Sequence, residues 1–258
     1  MDYFIWGIDP VALSFGSVRV FWYGMLFASA ILAGLHFMKW VYRVEGKNVD
    51  DLETMFLYIV IGIVLGARLG HCLFYDPAYY FAHPMEIFAV WKGGLASHGG
   101  GSGVIFALYL FAKKFKLNYL WLLDRVAIPT ALFGVFVRLG NFMNSEIVGK
   151  PTDVPWAIIF ERVDSLPRHP AQLYEAFSYL AIFLLLTFIY KTKREVLNNG
   201  FLFGLFLTLL FSARFLIEFV KVKQADYDTS FLMMSTGQAL SIPFLIIGVI
   251  IIVWSFKK

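Results

Sequence analysis

Arg138, Asn141, Asn144, Ser145 and Glu146 follow one another closely in the stretch GVFVRLGNFMNSEIVG, Gly134 to Gly149. They come after an apolar run, Val126 to Val137, that carries no charge. If that run is a helix that continues, Arg138 and Asn141 stand three apart and Asn141 and Ser145 four apart, which puts them on one face. An arginine on a membrane-like helix costs about 2.5–3.5 kcal/mol at mid-bilayer and less near the interface. A guanidinium there calls for an anion or a cluster of acceptors. The stretch supplies amides and a single carboxylate, Glu146. A phosphate is the obvious missing partner, because the planar fork of arginine binds it in bidentate fashion. Arg214 interrupts another apolar run, four residues before Glu218. That spacing fits an intrahelical ion pair, or it frees Arg214 to be a second phosphate ligand.

Three further positions carry chemistry-bearing side chains. His98 stands in GGLASHGGGSG, Gly93 to Gly103, where six of eleven residues are glycine, so the backbone is permissive and can approach a ligand closely. It reads either as a functional imidazole at the mouth of a span or as a histidine hydrogen-bonded between helices. Tyr23, in FWYG at the start of an apolar run, reads as a site residue or, like Trp22, as an interfacial anchor. His169, in RHPAQLYE, is a site candidate or a simple helix-start residue. Arg68 and His71 lie on a span as well, and Arg68 either snorkels to the interface or adds to a polar cavity.

The elements that must position these residues are membrane helices. The chain has 258 residues, is 59% hydrophobic and only 16% charged, and its mean hydropathy is +0.70, which excludes an ordinary soluble domain. The expected fold is an all-α polytopic membrane protein, one integral membrane domain over residues 1–258. About seven transmembrane helices are expected, near 20–40, 52–74, 94–112, 124–142, 173–190, 200–220 and 233–256. The second contains Gly62, Gly66 and Gly70 at four-residue spacing, a pattern for close helix approach. Pro129 is expected near the start of the fourth, where proline is tolerated. The segment up to Arg19 reads as an interfacial lead-in that could lie on the membrane as a short helix, and Met85 to Trp91 as a short amphipathic piece. Residues 144–170, with prolines at 151, 155, 167 and 170, are long enough for a small extramembrane cap after the fourth helix.

Charge sets the orientation. Lys39, Arg43 and Lys47, then Lys113, Lys114 and Lys116, then Lys191, Lys193 and Arg194, and finally Lys257 and Lys258 cluster on one side. Arg19, Lys92, Lys150, Arg162, Arg168, Lys221 and Lys223 are spread over longer segments on the other. By the positive-inside rule the N-terminus is outside, the C-terminus is cytoplasmic and the 144–170 cap is extracytoplasmic. No cleavable signal peptide is read. The single cysteine, Cys72, excludes an internal disulfide framework and a cysteine-rich metal site. No P-loop, zincin motif or serine elbow is present, and nothing suggests nucleic-acid binding. The convergence of arginines, amides and glycines at the outer ends of helices fits an anionic, amphipathic substrate entering from the lipid bilayer. A phospholipid headgroup fits better than a sugar or a metal ion.

VRLGNFMNSEIVG resembles the signature of the bacterial prolipoprotein diacylglyceryl transferases. FWYG, GGLASHGG, RHPAQLYE, ARFLIEF and GQALSIP resemble other blocks of that family in the same order, so the likeness covers nearly the whole chain. The resemblance implies a transferase of the bacterial cytoplasmic (inner) membrane. Such an enzyme moves the diacylglyceryl group of phosphatidylglycerol to the lipobox cysteine thiol of a preprolipoprotein signal peptide, giving a thioether and glycerol phosphate, with no cofactor and no metal. By position it implies Arg138 and Arg214 as the two essential arginines, His98 and Tyr23 as further catalytic residues, and Asn141, Glu146 and Gly149 as the rest of the signature; Glu218 joins the substrate-binding set. Val137 replaces the usual glycine before the arginine, Phe21 replaces a histidine before WYG, and HGGGSG replaces HGGLIG. The first implies different helix packing there and the last a looser start to the third span. The arginines could stabilise the leaving phosphate, and His98 could deprotonate the thiol or merely position it. The rival class is a lipid-binding or transport protein without chemistry, since internal arginines and glycine-broken helices suit transporters too; no inverted repeat is visible.

Overall fold

The computed structural model describes residues 3–94, 96–222 and 234–257. The sequence readings on Met1, Asp2, Leu95, Lys223, Met233 and Lys258 lie outside the described residues. The chain divides into two compact units, one made of Met1–Met38 with Asp124–Lys258, the other of Lys39–Leu123.

The first unit is built on α1 (Trp22–Val44, whose last turns pass into the second unit), α5 (Tyr119–Met143, entering from the second unit), α6 (Ala171–Lys193), α7 (Phe201–Ile217) and α8 (Thr236–Ser255). The second unit holds α2 (Asp51–Phe74), the short α3 (Pro77–Ala82) and α4 (Ser97–Lys114). Among the described residues, six helical segments are long and apolar enough to cross a membrane: α1, α2, α5, α6, α7 with its extension to Val220, and α8. Where the third span is expected the chain forms the helix α4, which does not join that set because the histidine, serines and glycines of its first half lower its hydropathy.

Helix ends follow local chemistry. Asn118 accepts from the Trp121 amide at 3.0 Å and so opens α5 one turn earlier than the hydropathy suggests. Pro129 is therefore interior to α5, not near its start. A proline there removes one backbone hydrogen bond, and Gly34 of α1 leaves room beside its ring. The buried Asp124 carboxylate accepts from the amides of Gly200 and Phe203 at 2.7 and 2.8 Å and so caps α7. Ser235 and Gln238 form a reciprocal capping box at the start of α8.

Two glycine seams set helix approach. In the second unit, α2 and α4 cross where Gly62, Gly66 and Gly70 meet Gly99 and Gly103, so tightly that a Cβ on any of the five would fall within 3 Å of the facing backbone. In the first, Gly204 of α7 and Gly248 of α8 meet in the same way. Arg68 neither snorkels nor lines an open cavity. It is buried and donates to the carbonyls of Glu86, Ile87, Gly93 and Gly94 at 2.5–3.3 Å, which pins the connection between α2 and α4. That connection contains the two 3-10 turns Pro84–Phe88 and Val90–Lys92, where the sequence suggested one amphipathic piece.

The N-terminal lead-in is not a helix. It forms β1 (Phe4–Trp6) and a hairpin of β2 (Val11–Phe15) and β3 (Val18–Phe21), which turns at Gly16 with φ +61°. Pro10 and Gly16 interrupt any helix, and the short β-branched and aromatic runs between them suit strands. β1 pairs in parallel with β4 (Ile158–Phe160), and β4 pairs antiparallel with β5 (Pro167–Arg168). Pro151 bridges Arg168, and Gly149 bridges Lys221, so the ladder runs on to the segment that follows α7. Phe142, Ile158 and Phe160 form a small core beneath this sheet, with Trp6 packed against it and donating its indole N–H to the Phe142 carbonyl at 3.0 Å.

Candidate functional site

The last two turns of α5 carry Arg138 and Asn141, as the spacing predicts, and the chain then turns sharply. Ser145 (φ +55°) and Ile147 (φ +60°) are both in the left-handed region on either side of Glu146. For a β-branched isoleucine that conformation is strained, and strain of this kind collects where a side chain must be held in one place. Glu146 is so held: its Oε1 accepts from Asn141 Nδ2 at 2.8 Å and from Asn144 Nδ2 at 3.2 Å, and its carbonyl accepts from Gln172 Nε2 at 2.7 Å.

Arg138 does not wait for an external anion as its only partner. Its Nη1 donates to Asn141 Oδ1 at 3.1 Å, and its Nε faces Glu175 Oε2 at 3.0 Å. Glu175, on the second turn of α6 and 1% exposed, also has Lys221 Nζ 3.8 Å from its Oε1 and accepts from the Tyr179 hydroxyl at 3.4 Å. Lys221 is buried in turn and pairs with Glu218 Oε2 at 3.1 Å. The Glu218 carboxylate therefore turns to Lys221 and lies against Gly237 of α8, where a Cβ would come within 3 Å of it. The Arg214–Glu218 pair suggested by the spacing is not formed; the buried Lys221 ammonium needs that carboxylate more than the flanking arginine does. Among the described residues Arg214 makes no ion pair, yet it lies within electrostatic reach of the Tyr179 hydroxyl, as does Arg138.

Glycines bring the remaining groups in. The Tyr23 ring lies flat enough on Gly140 that a Cβ there would meet it at 2.7 Å, and Tyr23 feels the charges of both Arg138 and Glu146. Gly149 is enclosed by His169 and the Val220 carbonyl; the Gly149 amide donates to the His169 carbonyl at 2.9 Å, and the Lys150 amide to Val220 at 2.7 Å. The structure thus links Arg138, Asn141, Glu146 and Glu218 through a chain of polar contacts, packs Tyr23 on Gly140 within electrostatic reach of Arg138 and Glu146, sets Gly149 in the ladder that carries Lys221, and puts Arg214 within electrostatic reach of the same tyrosine as Arg138. His98 belongs to the second unit, exposed in the first turn of α4, and is described within that unit alone.

His169 is a ladder residue before Pro170, which caps α6. Its Nδ1 lies 3.1 Å from the Tyr174 hydroxyl, which also accepts from the Trp156 indole at 2.8 Å. Burial holds the His169 imidazole below its ordinary value. Nearby, Arg168 is ion-paired to Asp164; their hydrogen bond lowers the Asp164 carboxyl and raises the Arg168 guanidinium.

Sequence reasoning missed Gln172, Glu175 and Lys221. Gln172, Glu175 and Tyr179, three and four apart on an otherwise apolar helix, are a polar face that the spacing could have revealed. Lys221 counted only as a loop charge.

The chain matches, over residues 10–254, the family model described as prolipoprotein diacylglyceryl transferase. Among its relatives, a phosphatidylglycerol–prolipoprotein diacylglyceryl transferase of Tolumonas auensis is 53% identical over 254 residues, 98% of either chain. One of Chloroherpeton thalassium is 49% identical over 258 residues, all of this chain and 96% of the relative. One of Bacteroides fragilis is 44% identical over 265 aligned positions, 98% of this chain and 95% of the relative.

Proposed function

The chain belongs to the prolipoprotein diacylglyceryl transferase family, and from that premise we propose how its residues carry out the transfer. It is a transferase that moves the diacylglyceryl group from phosphatidylglycerol to a prolipoprotein. The acceptor is the thiol of a lipobox cysteine. The cysteine sulfur attacks the glyceryl carbon, the bond from that carbon to the phosphate oxygen breaks, and a thioether and glycerol phosphate result.

Charge gathers on the leaving phosphate, and Arg138 and Arg214 stabilise it in a site of low dielectric. The observation that carries this is the Arg138 guanidinium, hydrogen-bonded to Asn141 and ion-paired with Glu175, with Arg214 lacking an ion pair among the described residues. Asn141, Glu146 and Gly149 shape the binding site, Tyr23 closes it over Gly140, and Glu218 holds Lys221 beside it. His98, from its motif, acts on the thiol as base or as positioner. The enzyme works as one integral domain of the bacterial cytoplasmic membrane, with seven spans including α4, an external N-terminus, and residues 144–170 as its extracytoplasmic cap. The distribution of lysine and arginine supports that orientation.

The test is mass spectrometry of a lipobox peptide incubated with the protein and phosphatidylglycerol, beside a Cys→Ser peptide. A diacylglyceryl mass gain on the cysteine peptide alone is expected, lost in Arg138→Ala. Phosphatidylglycerol binding without any gain, or equal turnover by Arg138→Ala, would overturn the reading and favour a lipid-binding or transport protein.

A further inference from the structure

Glu175 is the most enclosed charged side chain of the network, and nothing in its sequence setting marks it as more than a helix residue. Three elements meet on it: Arg138 from α5, Lys221 from the ladder segment after α7, and Tyr179 one turn further along α6. The tyrosine ring packs on Gly134, where a Cβ would meet it at 2.8 Å, so that small residue lets the polar face of α6 approach α5.

A buried ion pair is weak evidence for stability, since apolar replacements of the same volume are often as stable. Its geometry here is more informative. A guanidinium is planar, with five N–H donors in a fixed fork. Holding it at two of its nitrogens fixes the whole plane. Asn141 accepts a hydrogen bond from Nη1, and the Glu175 carboxylate lies 3.0 Å from Nε as an ion-pair partner, which holds that edge by charge and contact. Asn141 alone would leave the group free to swing about one contact, and the carboxylate of Glu146, already bonded to Asn141, would be an available alternative partner.

We infer that Glu175 is a positioning residue for the phosphate-binding arginine: it anchors the Nε edge of Arg138, so that the remaining N–H groups of the fork face the phosphate of the lipid in one orientation. Its second oxygen ties Lys221 into the same arrangement, so the segment after α7 is registered against α5. Glu175 does not touch the reacting atoms. The inference rests on the phosphate role proposed for Arg138 and deepens it.

The experiment uses the full-length protein in detergent micelles with phosphatidylglycerol and a lipobox peptide. Glu175→Gln keeps the shape and removes the charge; Glu175→Asp keeps the charge at shorter reach. A misaimed guanidinium lowers kcat, by about 100-fold for a displacement near 1 Å, while removal of a negative charge does not weaken binding of an anionic lipid. The expected result for Glu175→Gln is therefore a kcat reduced about 10- to 100-fold with KM for phosphatidylglycerol unchanged or lower, and partial recovery in Glu175→Asp. An unchanged kcat overturns the inference, as does a loss that Glu175→Asp fails to recover and that tracks the melting temperature. If Glu175→Gln does not fold because the buried network of Arg138, Lys221 and Glu218 is left with one positive charge in excess, the double variant Glu175→Gln/Lys221→Met removes that excess and is read by the same criteria. Arg138→Ala in the same series keeps the two claims apart: if it retains full turnover the phosphate reading itself fails, whereas an inactive Arg138→Ala beside a fully active Glu175→Gln sinks the positioning role alone.

Discussion

A lysine in place of Arg138 keeps the charge and loses the plane. It has no fork to be gripped by Asn141 at one nitrogen and Glu175 at another, so Arg138→Lys is expected to lose activity about as severely as Arg138→Ala, by roughly 10²–10³-fold in kcat. Phosphatidylglycerol consumption in the peptide assay checks this, and a lysine variant within a few-fold of the unmodified protein would refute it. Gly140→Ala is a subtler probe. Its Cβ would push into the Tyr23 ring, an overpacking that costs about 1–3 kcal/mol, and the tyrosine would leave its place beside Arg138 and Glu146. Lower turnover in a protein that still melts cooperatively is the expected outcome, measured by activity and thermal unfolding together. At this scale the sequence is readable where polar residues break an apolar run: Arg138, Asn141 and Glu146 announce themselves by spacing. Glu175 and Lys221 do not, because one hides in a helix entry among tyrosine and glutamine and the other looks like an ordinary loop charge. Their meaning lies in contacts between elements far apart in sequence.

Between α2 and α4 the seam is made almost wholly of backbone. Gly66→Leu or Gly99→Leu would drive a side chain into the opposing carbonyl, and a unit built on that crossing is expected to lose its cooperative thermal transition in micelles. Gly101 is the internal control. Nothing lies within 4 Å of its would-be Cβ, so Gly101→Ala should be neutral or stabilising by up to about 1 kcal/mol, the helix-propensity gain over glycine. Equal damage at Gly99 and Gly101 would show that the seam is not what orders this pair. Gly62, Gly66 and Gly70 signal close packing in the sequence, but their partner is not legible. The glycines around His98 read as a ligand-approach loop, and four of them, Gly94, Gly99, Gly100 and Gly103, turn out to face α2. HGGGSG departs from HGGLIG only at Gly101 and Ser102; Gly101 faces open space, and the close contacts with α2 come from Gly99 and Gly103, which both patterns share. The strands at the N-terminus are missed for a related reason. Three-residue strands carry too little periodicity to register, and β1 is a strand only because residues 158–160 offer it an edge.

The whole molecule adds a pH response and a direction. Arg168 holds the Asp164 carboxyl below its ordinary value. A carboxylate depressed in the fold contributes stability above its unfolded value, near pH 3.9, and that contribution fades as pH falls through the lower folded value. Arg168, raised, contributes at every pH below its own range. Limited proteolysis of residues 144–170 should therefore accelerate on acidification below about pH 4, and Asp164→Asn should remove that part of the acid dependence; because the pair is partly exposed, the effect is modest. Orientation is tested in a Cys72→Ser background, which clears the one native thiol. Both Arg162 and Glu195 are exposed. Arg162→Cys should react with an impermeant maleimide in intact cells stripped of their outer layer, and Glu195→Cys only after permeabilisation; the reverse pattern would invert the proposed topology. The ladder that runs from Phe4–Trp6 through 158–160 and 167–168 to Gly149 and Lys221 also sets a timetable for biogenesis. The first strand leaves the ribosome early and has no edge to join until Ile158 follows, and Gly149 has no second neighbour until Lys221 arrives. Chains stopped after α6 should therefore insert their helices yet keep residues 144–170 open to protease and Gly149 without its bridge to Lys221, so that this enzyme becomes competent only near the end of its own synthesis.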